Sequence, residues 1–257
     1  MSKTALINYE EQLALAAGQY AEAEQSSATG DFFGLKGGNI AWGGNPIKGN
    51  KIGVIIVDAV FENVFYEGQY DPDEPQSPTC FAFGRDENEL SPFKTVVEAG
   101  QAQHDKCAGC PNNEWGSADR GKGKACRNTR RLALLPAGEF DKDGNFEPFE
   151  DADALFSSGI GYMKLPVTSV KNYANYVKQI ATTFKRPPFA VFTQISTVPD
   201  AKSQFKVLFE ALALLDSEFI PYAIKKNEEI SGSIIFPYSL TVEEPEKELK
   251  KKKKAKY

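Results

Sequence analysis

Apolar residues along most of this chain come in short β-branched and aromatic runs, and only in places do they recur with a helical period. The strongest run is Lys51 to Tyr66. There Ile52, Val54, Ile55, Ile56, Val57, Val60, Phe61, Val64 and Phe65 predict a central strand or strand pair. Shorter strand patterns precede it at Phe32 to Leu35 and Ile40 to Trp42, and follow it at Cys80 to Phe83 and Arg131 to Pro136. The proline-rich acidic stretch Asp71 to Pro78 reads as a loop between them. Further on, Phe189 to Val198 and Phe205 to Leu212 flank the turn-forming Pro199 to Gln204 and predict a hairpin.

The period changes at Thr168 to Phe184. Val170, Tyr173, Ala174, Val177, Ile180 and Ala181 fall on one face behind a Thr/Ser N-cap, and Lys185-Arg186-Pro187-Pro188 stops the helix. A second helical piece is expected over Asp216 to Asn227 and a last strand over Ser233 to Phe236. Residues 1–30 read as a flexible N-terminal arm, 31–240 as a single domain, and 241–257 as a charged, flexible C-terminal tail. The fold class expected from this pattern is α+β, a β core with a few helices.

At 257 residues and 41% hydrophobic content the chain can bury a substantial core. It opens without the apolar stretch of a secretory signal, and no run approaches the ~18 apolar residues of a membrane span. A cytoplasmic protein with no membrane partner is therefore expected. The formal net charge of −5 hides an uneven distribution. Lys250 to Lys254 with Lys256 form one basic concentration, and Arg120, Lys122, Lys124, Arg127, Arg130 and Arg131 form another with no acidic residue among them. Basic charge gathered at two places on an acidic body favours local contact with a polyanion.

The second basic run overlaps the cysteines. Cys107-x2-Cys110, fifteen residues and then Cys126 have the spacing of a zinc site, with about residues 100–130 inserted between strands. The fourth ligand is either Cys80, from the preceding strand, or His104, the only histidine. Cys80 gives a knuckle plus two separated strand residues, whereas His104 crowds three ligands into seven residues. A complete thiolate set points to a structural Zn²⁺; a catalytic zinc would keep an open position. An iron–sulfur cluster would use the same residues, but nothing else here indicates redox chemistry. The plainer alternative is four free thiols, with Cys80 an ordinary strand residue.

Non-specific single-strand binders combine a basic groove with aromatic faces on which bases stack. Trp115 lies within the basic loop, and Tyr173, Lys185 and Arg186 cluster around the junction of the helix and the next strand. Trp42, among glycines, is a further aromatic candidate. Most aromatics fill cores, which is the competing role for each of these rings. Asp58, Glu62, Asp141, Asp143, Glu150, Asp151 and Asp153 supply carboxylates but no recognisable nuclease motif, so no catalytic residue is assigned.

Cys107-x2-Cys110-Pro111-x-Asn113-x-Trp115-Gly116-Ser117, then Gly121-x-Gly123-Lys124-Ala125-Cys126 and Arg130-Arg131-Leu132, with Pro78-Thr79-Cys80-Phe81-Ala82 upstream, resembles a family of tailed-bacteriophage single-stranded DNA-binding proteins with a four-cysteine zinc insertion. Pro166 to Tyr173 leading to Arg186-Pro187-Pro188-Phe189 resembles it too. The resemblance spans about residues 50 to 212. It implies an OB-fold-like antiparallel β-barrel with a zinc-ribbon-like loop. The implied function is non-catalytic, largely sequence-independent binding of single-stranded DNA in phage replication or recombination, with proteins of those processes as further partners. The lysine-rich end departs from the acidic tail common in such proteins, which puts tail-mediated recruitment in doubt. A phage structural or host-interaction protein using a zinc knuckle for protein contacts is the rival reading. On the first reading Lys122, Lys124, Arg127, Arg130, Arg131, Lys185 and Arg186 contact phosphates, and Trp115 and Tyr173 stack on bases.

Overall fold

The computed structural model describes residues 32–68, 76–119 and 121–238. The expected N-terminal arm, the lysine-rich tail and Arg120 lie outside the described residues. Two compact units separate, one of residues 32–60 and 129–235 and another of residues 61–128 and 236–238 within the described set.

In the first unit β1 (Phe33–Lys36), β2 (Asn39–Trp42) and β3 (Asn45–Pro46) make a small antiparallel sheet. Gly37 and Gly38, at φ of 62° and 79°, form the two-residue connection between β1 and β2, a backbone that side-chain-bearing residues resist. The expected central strand is β4 (Lys51–Phe65), a single strand of 15 residues. After β5 (Cys80–Gly84) and helix α1 (Lys94–Glu98) of the second unit come β6 (Arg127–Phe140), β7 (Phe146–Pro148), α2 (Ala152–Ser157) and β8 (Gly161–Leu165). Helix α3 (Val167–Thr183), β9 (Val191–Asp200), β10 (Gln204–Leu214) and α4 (Ile220–Ser233) complete the elements of the described residues.

The main strand order is β10-β9-β4-β6-β7, with β8 beside β6. Among the described residues no pair joins β10 to β7, so the sheet is open and a closed barrel is not formed. The architecture is α+β, antiparallel throughout its main pairings.

Period-two patterning explains the core. Ile52, Val54 and Ile56 of β4, Leu132 and Leu134 of β6, and Met163 and Leu165 of β8 point to one face, where Tyr173, Tyr176 and Ile180 of α3 cover them. Each such fully buried side chain contributes about 1.5–3 kcal/mol. Two glycines make this packing feasible elsewhere on the strands. The Phe146 ring lies against Gly53 and Gly138, and a Cβ added to either would stand 2.1 Å or 2.7 Å from ring carbons.

Polar side chains of α3 finish the sheet's edge. Val207 N–H donates to Ser169 Oγ (2.9 Å), and Asn172 Nδ2 donates to the Val207 carbonyl (2.9 Å). The edge strand β10 is thus occupied at Val207 by helix side chains, where a bare backbone would invite another strand. Tyr176 closes a buried pair with Thr193, hydroxyl to hydroxyl at 2.6 Å.

In the second unit β5 pairs with the end of β4, from Phe61↔Gly84 to Phe65↔Cys80. Val64, Phe81 and Val96 form a small core bordered by Phe83, Phe93 and Tyr238. The Tyr238 hydroxyl donates to the carboxylate of the fully buried Glu62.

Two expectations are corrected. Ser233 to Phe236 is not a strand: α4 continues to Ser233, Ile234 N–H still bonds back to the Ile230 carbonyl (2.8 Å), and the following residues are irregular. The apolar side chains there are used singly, Ile234 buried and Tyr238 over Phe83, so no ladder is needed. Strand β6 starts four residues before the expected Arg131, because Thr129 and Arg131 are themselves inward-facing. The short β7, β8 and α2 carry too few residues to show a period.

Replacing Ser169 by Ala leaves the Val207 N–H buried without its acceptor. The expected loss is about 1–3 kcal/mol of unfolding free energy, read as a lower urea midpoint at unchanged slope.

Candidate functional site

The cysteine segment is built from the end of a strand pair, a tight knuckle and a return limb. Cys80 opens β5 opposite Phe65 and is half-buried; Cys107, Cys110 and Cys126 are buried. Cys107 N–H donates to the Leu90 carbonyl (2.9 Å). Gly109 then turns the chain at φ of 79°, which sets Cys110 N–H towards the Cys107 carbonyl (3.4 Å), and Pro111–Asn113 makes one 3-10 turn.

The return limb is fastened to that turn. Cys126 N–H donates to the Asn112 carbonyl (2.7 Å) and Gly116 N–H to the Gly123 carbonyl (2.9 Å). Asn113 Nδ2 donates to the Cys107 carbonyl (2.9 Å), while its Oδ1 accepts from Lys124 Nζ (3.3 Å). Ser117 Oγ donates to the Glu114 carbonyl (2.7 Å) and accepts from Ala125 N–H (2.9 Å).

All four cysteines, with His104, Phe65, Asn112 and Asn113 among the other walls, line one cavity of about 20 Å³. That is space for a single water-sized particle. As the side chains stand, no group of three or more His, Cys, Asp or Glu among the described residues is arranged to hold a metal ion. The thiols nevertheless sense one another. Burial pushes the Cys80 thiol up, opposed by the Gln103 backbone N–H and reinforced by Cys110. Burial also raises Cys107, with an Asn63 side-chain hydrogen bond opposing and Cys80 and Cys110 adding. Cys126 is pushed up to about 12 by burial, then by Cys107, Cys80 and Cys110, against a weaker pull from Lys124. In thiolate form the four would repel one another in one small cavity, against a weak opposing pull of Lys124 on Cys126. His104 is exposed, its Nδ1 3.0 Å from the Lys106 carbonyl oxygen, and it is not among the groups acting on the thiols.

The remaining expected site residues fall into two classes. Trp115 is 78% exposed and stands at the end of the hydrogen-bonded loop, with Lys124 Nζ 5.7 Å from its ring centre. Lys122 and Arg127 are exposed in the same unit. In the first unit Lys185 and Arg186 are exposed just after α3, Lys185 at φ of 56°.

Tyr173 and Arg131 are corrections. Tyr173 is 7% exposed and its ring meets Phe209 edge-on at 5.3 Å, so it offers no free face to a base. Its phenol is pushed up by burial first and by the Asp58 carboxylate second. Arg131 is 1% exposed, donates from Nη1 to the Ile234 carbonyl (3.2 Å) and lies over the Phe32 ring, so it holds the end of α4. Arg130 is half-buried and donates to the Thr129 carbonyl (3.1 Å). Trp42 packs 4.4 Å from Phe33 and over Gly161. Sequence reasoning passed over Tyr66, which carries the Arg127 guanidinium 5.4 Å above its ring. Its position at the end of a strong strand pattern marked it only as a strand residue.

No family model matches this chain, and no curated protein or solved structure is similar to it.

Two outcomes follow from this geometry. With chelator present, the raised thiol pKa values mean that the neutral thiols' contribution to stability is complete below about 9.0 and is lost as pH rises towards about 12. Unfolding midpoints should therefore fall across that interval. Arg131→Met should cost about 1–3 kcal/mol through the unsatisfied Ile234 carbonyl, whereas Lys122→Gln, at the surface, should change stability by less than about 0.5 kcal/mol. Chemical denaturation checks both.

Proposed function

We propose that this is a non-catalytic, largely sequence-independent single-stranded DNA-binding protein of a tailed bacteriophage, acting in DNA replication or recombination in the host cytoplasm. The observation that carries the reading is Trp115, a large ring left in solvent on a hydrogen-bonded loop with a lysine ammonium beside it. A base needs a flat apolar face and its phosphate needs a cation, and this pair offers both within one side-chain length. Every base has a π-face, so such a contact tolerates any sequence. Lys122 and Arg127 add exposed positive charge in the same unit, and Lys185 and Arg186 are proposed as phosphate contacts of the first unit.

In this reading Zn²⁺ is held by Cys80, Cys107, Cys110 and Cys126 as a structural ion. When bound, such an ion would supply the positive charge that favours the thiolate form of these residues. What supports it is the donor set itself, four thiols on one cavity of ion scale. The protein's part is to bring the four sulfurs together from a strand end, a knuckle and a return limb, and to pass that order through Asn112 and Asn113 to the loop that carries Trp115. An OB-like curl of the antiparallel sheet, a zinc-ribbon-like form for the cysteine loop, and replication or recombination proteins as further partners belong to the same proposal. Among the described residues no helix is long and apolar enough to cross a membrane.

Anisotropy titration of labelled oligo-dT and of duplex DNA, at two salt concentrations and with or without chelator, tests the reading. Oligo-dT should bind more tightly than duplex, weaken with salt, and weaken again on metal removal. Trp115→Ala should lower affinity about 5- to 150-fold, the equivalent of ~1–3 kcal/mol for one stacked base. Absence of single-strand preference at low salt would overturn it in favour of a protein-contacting knuckle.

A further inference from the structure

The geometry points to a second stacking station in the cysteine-bearing unit, formed by Arg127 lying on Tyr66, which takes the base next to the one on Trp115. This rests on the single-strand reading above and names its next contact. The guanidinium carbon of Arg127 is 5.4 Å from the Tyr66 ring centre. Both partners are rooted. Tyr66 lies between Phe65, paired with Cys80, and Glu67, whose N–H donates to Thr79 Oγ1 (3.2 Å). Arg127 lies between Cys126, whose N–H donates to the Asn112 carbonyl (2.7 Å), and Asn128, whose Nδ2 donates to Asn63 Oδ1 (2.8 Å).

An arginine placed over an aromatic ring is a different object from an exposed lysine. A guanidinium is planar and can stack between a ring and a base, and its edge N–H groups are donors for a phosphate. Tyr66, partly buried against the Val64, Phe81 and Val96 core, is the positioning residue, and Arg127, exposed, is the contacting one. Lys124, over Trp115, is three residues from Arg127, a chain distance of at most about 10 Å. Two aromatic–cation pairs whose cations are borne on the same return limb form a short ladder for successive nucleotides. Because both roots are already fixed, little side-chain freedom is lost when the strand arrives.

The test uses the full chain and oligo-dT. Arg127→Lys keeps the charge but removes the plane, so it should lower affinity at least 5-fold while the slope of log affinity against log salt is retained. Tyr66→Leu, which preserves apolar packing, should cause a similar loss, and Tyr66→Phe should rescue it. The double variant Tyr66→Leu, Arg127→Lys should lose little more than either single change, because the two act as one station. Thermal unfolding of each variant separates loss of fold from loss of the station. Wild-type affinity in Arg127→Lys, or full additivity in the double variant, would overturn the station while leaving the Trp115 reading intact. Failure of the wild-type protein to bind oligo-dT would instead remove the reading on which it rests.

Discussion

Four sulfurs facing one cavity of about 20 Å³ are the constraint on which the second unit turns. Burial and mutual repulsion both oppose ionisation there, and the nearest compensating side chain, Lys124, is a weak influence on Cys126. Burial therefore favours the neutral form of Cys80, Cys107 and Cys126. The same turn that gathers the sulfurs also fastens the loop that carries Trp115. Asn112 accepts from Cys126, and Asn113 bridges Cys107 to Lys124. Order at the sulfurs is transmitted to the ring of Trp115 by hydrogen bonds that span only a few residues.

The first unit rests on ordinary burial. Its strands present alternating Ile, Val and Leu to α3, and the buried and partly buried polar side chains have defined work: Ser169 and Asn172 on the edge of β10, Tyr176 on Thr193, Asn227 on the Val57 carbonyl at 2.7 Å. Acidic residues that looked available for metal chemistry are employed in the same way. Asp141 accepts from the Asn145 N–H (2.8 Å) in the β6–β7 turn, and Asp151 caps α2 through the Ala154 N–H (2.9 Å).

Charge in this protein takes its meaning from position. Arg127 and Arg131 are four residues apart on one strand, yet the first is exposed over Tyr66 and the second buried under Phe32. An inward-facing arginine keeps its stem packed and spends its donors on a carbonyl; an outward one turns them to solvent.

The sequence by itself determined the elements whose signals are local. Lys51–Phe65 is a strand because β-branched and aromatic residues crowd it, Val167–Thr183 a helix because its apolar residues recur every three to four positions, and Pro187-Pro188 ends it because proline cannot continue a helix. The cysteine spacing and the basic run were legible for the same reason. Only the tertiary structure decided what depends on residues distant along the chain. Cys80 joins Cys107, Cys110 and Cys126 because β5 pairs with the end of β4. Tyr173 is lost to the core because Phe209 of β10 lies under it, and Tyr66 is gained because the chain returns with Arg127 above it. Burial and ring contacts are made across the fold, and a linear pattern carries the propensity of a residue but not the identity of its neighbour.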